Sequence, residues 1–432
     1  MNIKSPHESG LKYLFLDLNS YFASVEQQEN PILRGKPIAV TPMVTDATCA
    51  IAASYEAKAY GVKTGTKIYE ARRLCPGLKC VLARHDKYVE YHHKILDATE
   101  RHLPVNKVWS IDEFDCILLG REREPDNARA LAQNIKESIW RNVGEAINCS
   151  IGIAPNSFLA KVATEIEKPD GLVLMHPEDL PGRLLDLKLM DLPGINVGMM
   201  ARLERARIKT VEQLWNTSPK QARAIWGSVQ GERFWYWLHG YDVPYQSTNT
   251  SMVGHSRVLD PDLRTPEKAR SMARRLLVKA GYRLRRKEFY ASRLSLSVRF
   301  VDRTRWGHDI QFAAAHDPFT FLHYLNELWE MMEYQCGITD YHRNKTLIKK
   351  VSVILHGLKR AEDITDDLLD LSLAEKRKQL KKNEALSTAM DHLQQKYKKE
   401  TVCIGVPPKT LAGHVGTKIA FSRVPDKEEF WN

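Results

Sequence analysis

The sequence predicts a multidomain α+β protein, and three observations lead to that reading. Its 432 residues are too many for one compact core, and a length of this size sets an expectation of roughly two to four domains. The first 175 residues alternate strand and helix signals, whereas residues 252–357 run strand, helix, strand, strand, helix, strand, two β-α-β units in one α+β domain. Between them, from about residue 176, short helical segments surround a Pro-Gly turn, which predicts a small helical domain.

In chain order, the apolar run Leu11 to Leu16 supports a strand at Lys12 to Leu18, followed by a helix from about Ser20. Strands are expected at Pro37 to Val40 and Thr48 to Ala53, and helices at about Tyr55 to Tyr60, Ile68 to Cys75 and Lys87 to His102. Strand signals at Val108 to Ser110 and Phe114 to Leu119 flank the tetrapeptide SIDE, Ser110 to Glu113. REREPDN, Arg121 to Asn127, reads as a polar loop with Asp126 as the N-cap of the next helix. GYDVPYQSTNTS, Gly240 to Ser251, is polar and poor in helix formers and reads as a linker. Beyond it come a strand at Met252 to Leu259, a helix at about Pro266 to Lys287 and strands at Ser292 to Val301 and His308 to Ala314. A helix at Pro318 to Gln335 and a strand at Lys349 to Gly357 complete that domain, and a charged helix begins near Ala374.

Composition narrows the class. With 43% hydrophobic and 27% charged residues the chain is globular, and no segment approaches the roughly 18 unbroken apolar residues of a membrane helix. The N-terminus MNIKSPHESG carries no signal-peptide core, so a cytoplasmic protein is expected. Seven scattered cysteines form no C-x-x-C pair, which suits neither a zinc site nor a disulfide framework. The net charge of +11 points towards a polyanionic partner, and its distribution sharpens that. Residues 251–360 carry 21 Lys and Arg against 11 Asp and Glu, nearly the whole excess in a quarter of the chain.

FLDLNSYFASVE, Phe15 to Glu26, puts a carboxylate, Asp17, at the end of an apolar strand. An unpartnered buried Asp is expensive, so Asp17 requires a cation, a hydrogen-bonding shell or an opening to water, or else serves as a helix cap. VWSIDEFDCILL places Asp112 and Glu113 together at a turn between apolar strand halves. Adjacent carboxylates repel, and either a divalent cation relieves them or the turn is an ordinary exposed acidic hairpin. Three carboxylates on neighbouring strands can hold two hard cations of the kind that clamp attacking and leaving oxygens in phosphoryl transfer.

FLDLNSYFASVE and SIDE together resemble the Y-family, or translesion, DNA polymerases. ASYEAKAYGV (Ala53 to Val62) looks like that family's nucleotide-binding finger segment, and GIAPNSFLAKVATEIEKPDG (Gly152 to Gly171) like its palm helix ending in Lys-Pro. DLPGIN (Asp191 to Asn196) resembles the thumb's helix-hairpin-helix turn. The motifs occur in order, and the resemblance covers roughly Leu11 to Gly357.

The resemblance implies a right hand: palm at 1–20 and 85–175, fingers at 21–84, helical thumb at 176–240, linker at 241–251, little finger at 252–358 and a tail at 359–432. It implies Asp17, Asp112 and the backbone carbonyl of Leu18 as ligands of two Mg²⁺ ions, for which Mn²⁺ can substitute, with Glu113 as the third carboxylate. Tyr21, Phe22, Tyr55, Lys58 and Lys168 would bind the incoming nucleotide, Phe22 as a steric gate against a 2′-hydroxyl; on residue types alone Tyr21 and Phe22 read as the apolar face of a helix, and only the motif position reverses that.

Four positions depart from the family pattern: Lys58 replaces the usual Arg and cannot form its bidentate fork, Asn196 replaces a glycine, Asn19 stands where an acid is common, and Asp115 stands where an apolar or aromatic residue is usual. The turn at Gly194 and Asn196 can offer backbone N–H groups to DNA, and Asn is expected to preserve it by tolerating left-handed geometry. The strand ASRLSLSVRF puts Arg293, Ser295, Ser297 and Arg299 on one face, suited to phosphate tracking or simply solvated. DDLLDLSL, Asp366 to Leu373, reads either as a degenerate sliding-clamp peptide or as an amphipathic helix start. Primer-template DNA and dNTPs are the expected partners. The competing reading is a non-catalytic polymerase-like adaptor that binds DNA or the clamp, and a third is a helix-hairpin-helix repair nuclease or glycosylase.

Overall fold

The computed structural model describes residues 10–43, 45–46, 48–246, 250–338, 346–364 and 373–397, with single positions at 6, 402, 404 and 424. The chain divides into two compact units, with the boundary between Tyr245 and Gln246. No helix among the described residues is long and apolar enough to cross a membrane.

The first unit begins with β1 (Tyr13–Leu18), α1 (Tyr21–Glu29), β2 (Ile38–Thr41), β3 (Ala52–Ala53), α2 (Tyr55–Lys58), α3 (Ile68–Leu74), β4 (Lys79–Leu82) and α4 (His85–Glu100). It continues through β5 (Val105–Val108), β6 (Glu113–Ile117), α5 (Pro125–Asn142), β7 (Cys149–Ala154), α6 (Ser157–Ile166) and β8 (Leu172–Leu174). Four short helices follow: α7 (Val197–Arg205), α8 (Val211–Trp215), α9 (Pro219–Trp226) and α10 (Val229–Leu238).

The main sheet has the order β5-β6-β1-β7-β8, with β1 at its centre and antiparallel to both neighbours. Because side chains alternate across a strand, β1 serves two cores. Leu14, Leu16 and Leu18 join the cluster of Ile95, Ile135 and Ile139 from α4 and α5, while Phe15 joins Phe158, Leu159 and Val162 of α6. Asp17 shares the parity of Phe15 and so lies at the end of the α6 face. Close packing there depends on Gly152 of β7, where a Cβ would stand 2.0 Å from the Ala160 carbonyl oxygen. Beside this sheet stands a smaller one of order β3-β2-β4.

The second unit contains β9 (Met252–Val258), α11 (Pro266–Arg286), β10 (Phe289–Phe300), β11 (Arg305–Ala315), α12 (Pro318–Gln335) and β12 (Ile348–His356). Its strands form one antiparallel sheet of order β11-β10-β12-β9. Leu294, Leu296 and Val298 of β10 are buried with Leu277 of α11 and Phe321 and Trp329 of α12. Truncating a fully buried tryptophan such as Trp329 costs about 3–5 kcal/mol, so this core holds its helices firmly. Asp317 caps α12 by accepting from the Thr320 backbone N–H at 2.9 Å, and Pro318 pre-sets its first turn.

Four local expectations differ. The strand signal at Val108 to Ser110 is the end of β5, Val105–Val108, and Trp109 and Ser110 belong to the turn after it. Thr48 to Ala53 supplies only the two-residue β3, because Thr48 and Ala50 bond to the loop at 65–68 instead of to a strand. Helix α5 starts at Pro125, with Glu124 as N-cap, so Asp126 lies within the first turn. The first half of the segment read as a linker is docked: Asp242 bonds Lys12 and Tyr13, and the carbonyls of Tyr241 and Val243 accept from Asn156 and Trp237. The six described cysteines carry no disulfide. Leu369, Asp370 and Leu371, the centre of the clamp-like peptide, lie outside the described residues.

Candidate active site

The strands bring the three carboxylates to one place. Asp17 is the cross-strand partner of Glu113, and the Leu18 N–H donates to the Asp112 carbonyl at 2.9 Å, fixing the turn against the end of β1. The turn itself is tight: the N–H groups of Trp109 and Ser110 both donate to the Glu113 carbonyl, and the Ser110 hydroxyl donates to the Asp112 carboxylate at 2.5 Å. His92 of α4, 1% exposed, holds the Ile111 carbonyl at 2.8 Å from its Nδ1. Leu18 closes β1 opposite Cys149.

Burial raises the Asp17 carboxyl to about 6 in spite of the Lys168 ammonium, which pulls it down, and Glu113 adds repulsion. Burial likewise pushes Asp112 up, with Asp17 contributing. Both carboxylates therefore lack positive charge for their depth. Lys168 Nζ lies 2.7 Å from Asp17, and Lys161 Nζ pairs with Glu113. These ammonium groups stand where cations are needed. Among the described residues no three His, Cys, Asp or Glu side chains are gathered closely enough to hold an ion outright. Even so, a set of mutually repelling carboxylate oxygens, screened only by lysines that can turn away, has the chemistry of a hard divalent cation site.

The predicted nucleotide residues divide. Tyr55, Lys58 and Lys168 converge beside Asp17: the charges of Lys168 and Asp17 both act on Tyr55 and on Lys58. Lys58 Nζ lies 4.3 Å from the Tyr55 ring centroid. Burial lowers the Lys58 ammonium's pKa and Lys168 lowers it further, so two like charges lie close enough to repel, an arrangement that a polyanion would relieve. Phe22 is 4% exposed and stacks on Tyr88 with ring centroids 4.2 Å apart. The Tyr88 hydroxyl donates to buried Glu26, which Arg84 grips with Nε and Nη2. The Tyr21 side chain is buried, donates to the Tyr88 carbonyl and feels the charge of Asp112.

Lys161 and Glu165 escaped sequence reasoning, and Asn19 was read only as a departure from the family pattern. Lys161, Glu165 and Lys168 recur at helical spacing, and that signal was readable as one face of α6 extended past its end. Lys168 is anchored by Glu165 at 2.8 Å as well as by Asp17. Asn19, 2% exposed, accepts the Asp170 N–H at 2.7 Å and donates to Ser150, which fastens the Lys168 loop to β1.

Elsewhere, Gly194 has φ +89°, the left-handed geometry of its turn, whereas Asn196 is extended at φ −100°. The expected left-handed role of Asn196 is therefore corrected: it is the N-cap of α7, accepting from the Met199 N–H at 3.0 Å. On β10, Arg293 and Ser297 are exposed and Ser295 and Arg299 half-buried on the face away from the helices. Ser295 is bonded to His356, and Arg293 to Gln311. Arg299 has Arg305 on one side and Lys350 on the other as cross-strand partners, a row of three cations the sequence did not reveal. Its Nε is buried without a hydrogen-bond partner among the described residues.

The model of the impB/mucB/samB family matches residues 16–165, and the model of that family's C-terminal domain matches residues 250–368. A DNA polymerase IV of Moorella thermoacetica is 35% identical over 59% of this chain and 65% of its own length. DNA polymerase IV 1 of Bacillus subtilis is 30% identical over 66% of this chain and 70% of its own, and the Bacillus velezensis DNA polymerase IV is 28% identical over 88% and 89%. Among solved structures, a Y-family DNA polymerase chimera of Dbh and Dpo4 matches with TM-score 0.67 and 21% identity, over 81% of this chain and all of that one.

Proposed function

The chain belongs to the impB/mucB/samB family of Y-family DNA polymerases, and from that premise we propose that it is an error-prone translesion enzyme that adds dNTPs to a primer 3′ end opposite damaged or undamaged template. The observation that carries this reading is the convergence of Asp17, Asp112 and Glu113 with Tyr55, Lys58 and Lys168 at one end of the sheet. A non-catalytic adaptor is disfavoured, because a scaffold gains nothing from keeping mutually repelling carboxylates raised by burial.

Asp17, Asp112, Glu113 and the Leu18 carbonyl would hold two Mg²⁺ ions, with Mn²⁺ as a substitute. Bound there, the ions supply charge neutralisation and lower the pKa of the attacking 3′-hydroxyl. Lys168 and Lys161, released from the carboxylates, are free to turn towards incoming anionic groups. Lys168 and Lys58 then meet the triphosphate as point charges while the Tyr55 hydroxyl donates to it. Phe22, backed by Tyr88, occupies the space a 2′-hydroxyl needs. The rest of the reading assigns residues 1–20 and 85–175 to the palm, 21–84 to the fingers, 176–240 to the thumb and 252–358 to the little finger. Primer-template DNA would lie on the Gly194–Asn196 turn and the β10 face, with the sliding clamp as a candidate partner of the tail and the cytoplasm as the compartment.

Primer extension with dNTPs and Mg²⁺ on undamaged and abasic templates tests this, comparing wild type with Asp112→Ala/Glu113→Ala. Extension by wild type alone, continuing past the abasic site, is expected. Intact DNA binding with no extension by either protein would overturn it in favour of the adaptor.

A further inference from the structure

We propose that Asp115 is a positioning residue for the polymerase reaction, a buried carboxylate that sets the catalytic turn and helix α6 in register with one another; this rests on the polymerase reading above. Asp115 is 1% exposed and follows Glu113 by two residues on the same face of β6, opposite Phe15 of β1. Its oxygens accept three bonds from three different places. Asn106 Nδ2 donates at 2.7 Å, Trp109 Nε1 at 2.8 Å and Ser157 Oγ at 2.5 Å.

Two of the donors belong to elements that carry part of the site. Trp109 opens the turn that bears Asp112, and its backbone N–H already donates to the Glu113 carbonyl. Its side-chain bond to Asp115 holds that turn from the opposite side. Ser157 is the first residue of α6, which carries Lys161, the partner of Glu113, one turn further on. Asn106 falls at the irregularity in β5 pairing, between Val105 and Lys107, and a bulge of this kind re-aims a side chain, here onto Asp115.

Stability alone does not ask for this arrangement. A carboxylate is costly to bury, and a wholly apolar cluster of similar volume, donors included, would fill the space without that cost. Its distinctive contribution is acceptor capacity: one side chain with two oxygens ties three otherwise independent donors, each of which would be left unpaired by an apolar replacement. The turn and α6 lie far apart in sequence, and the Asp115 network joins them beside Glu113. Displacing either by about 1 Å would cost on the order of 10²-fold in rate.

The test compares Asp115→Leu with Asp115→Asn. The asparagine keeps the shape and one oxygen for Trp109 and Ser157, and Asn106 can turn its own amide oxygen to the new NH₂ group. Leucine removes every acceptor. In the metal-free protein, the Trp109 indole N–H resonance, assigned by its loss in Trp109→Phe, should move upfield in Asp115→Leu and stay in Asp115→Asn. In primer extension, kcat should fall about 10- to 100-fold in Asp115→Leu, with KM for dNTP and affinity for primer-template near wild type, and should recover in Asp115→Asn. Should Asp115→Leu not fold, Asn106→Ala at the surface and Ser157→Ala each remove one donor and should lower kcat at unchanged KM. The proposal is overturned by wild-type kcat in these variants, by equal damage in Asp115→Asn and Asp115→Leu, or by an unmoved indole resonance. If wild type itself extends no primer, the polymerase reading fails separately, and the resonance still decides whether Asp115 holds the turn.

Discussion

Lys58 sits over the Tyr55 ring with burial and Lys168 both disfavouring its charge, so a triphosphate that neutralises the pair would be bound partly by relief of that repulsion. An ammonium makes no planar fork, and Lys58→Arg should therefore lower KM for dNTP severalfold with kcat little changed; steady-state kinetics showing a higher KM would mean that the extra bulk matters more than the fork. At the sugar, Phe22→Ala opens the space in front of Tyr88, and ribonucleotide incorporation should rise by at least an order of magnitude if the ring excludes a 2′-hydroxyl by contact, a change worth about 1.4 kcal/mol or more. Gel analysis of rNTP against dNTP insertion reads this directly, and unchanged discrimination would remove Phe22 from the gate. Asn196→Ala should lower stability by about 1 kcal/mol and Asn196→Gly by only a few tenths, the ordering expected of an N-cap.

Helix α4 supplies a pH-dependent support. Burial holds His92 neutral, its pKa lowered to about 4 from the usual 6.5, while its ring bonds the Ile111 carbonyl. The unfolded chain binds a proton between those values and the folded chain does not, so this contribution is fully present above about pH 6.5 and is lost as pH falls towards 4. It amounts to roughly 3 kcal/mol, and His92→Gln should flatten the acid side of the stability curve in that window, measured by urea unfolding at several pH values. A curve of unaltered slope would place the titration elsewhere.

Elements of this kind were legible in proportion to their pattern. β10 shows in the strict alternation of Leu294, Leu296 and Val298 with Arg293, Ser295 and Ser297, and α12 shows in its Asp317-Pro318 start. β7 was missed because all six of its residues are buried, which erases alternation, and because Gly152, kept for the approach of α6, lowers its strand signal. In the site, Asp112 and Glu113 were visible as acids breaking an apolar run. The Asp115 bonds to residues 9 back and 42 ahead were not, since no local period encodes them.

Across the whole molecule, charge count and charge available to a ligand differ. Some of the basic charge in residues 251–360 is held internally, as where Arg285 grips Asp391 and Arg257 pairs with Asp260. What remains on the open face of the second sheet is the cross-strand row Arg305, Arg299 and Lys350, with Arg293 further along β10. Like charges directly opposite one another in a sheet are destabilising, and phosphate oxygens would relieve them. Beside the row, Gly307, Ser297, Ser352 and Ser256 lie in register across all four strands, small residues that let a backbone approach closely. Each cation that neutralises a phosphate of duplex DNA adds about 0.9 to the slope of log affinity against log salt. Arg299→Ala/Arg305→Ala should therefore weaken primer-template binding similarly for every sequence and make that slope shallower by about 2. Fluorescence anisotropy from low to moderate salt measures both quantities. Weaker binding with an unchanged slope would mean that the two arginines shape the sheet without touching phosphate, and removing the repulsive row would then raise thermal stability as its only other consequence.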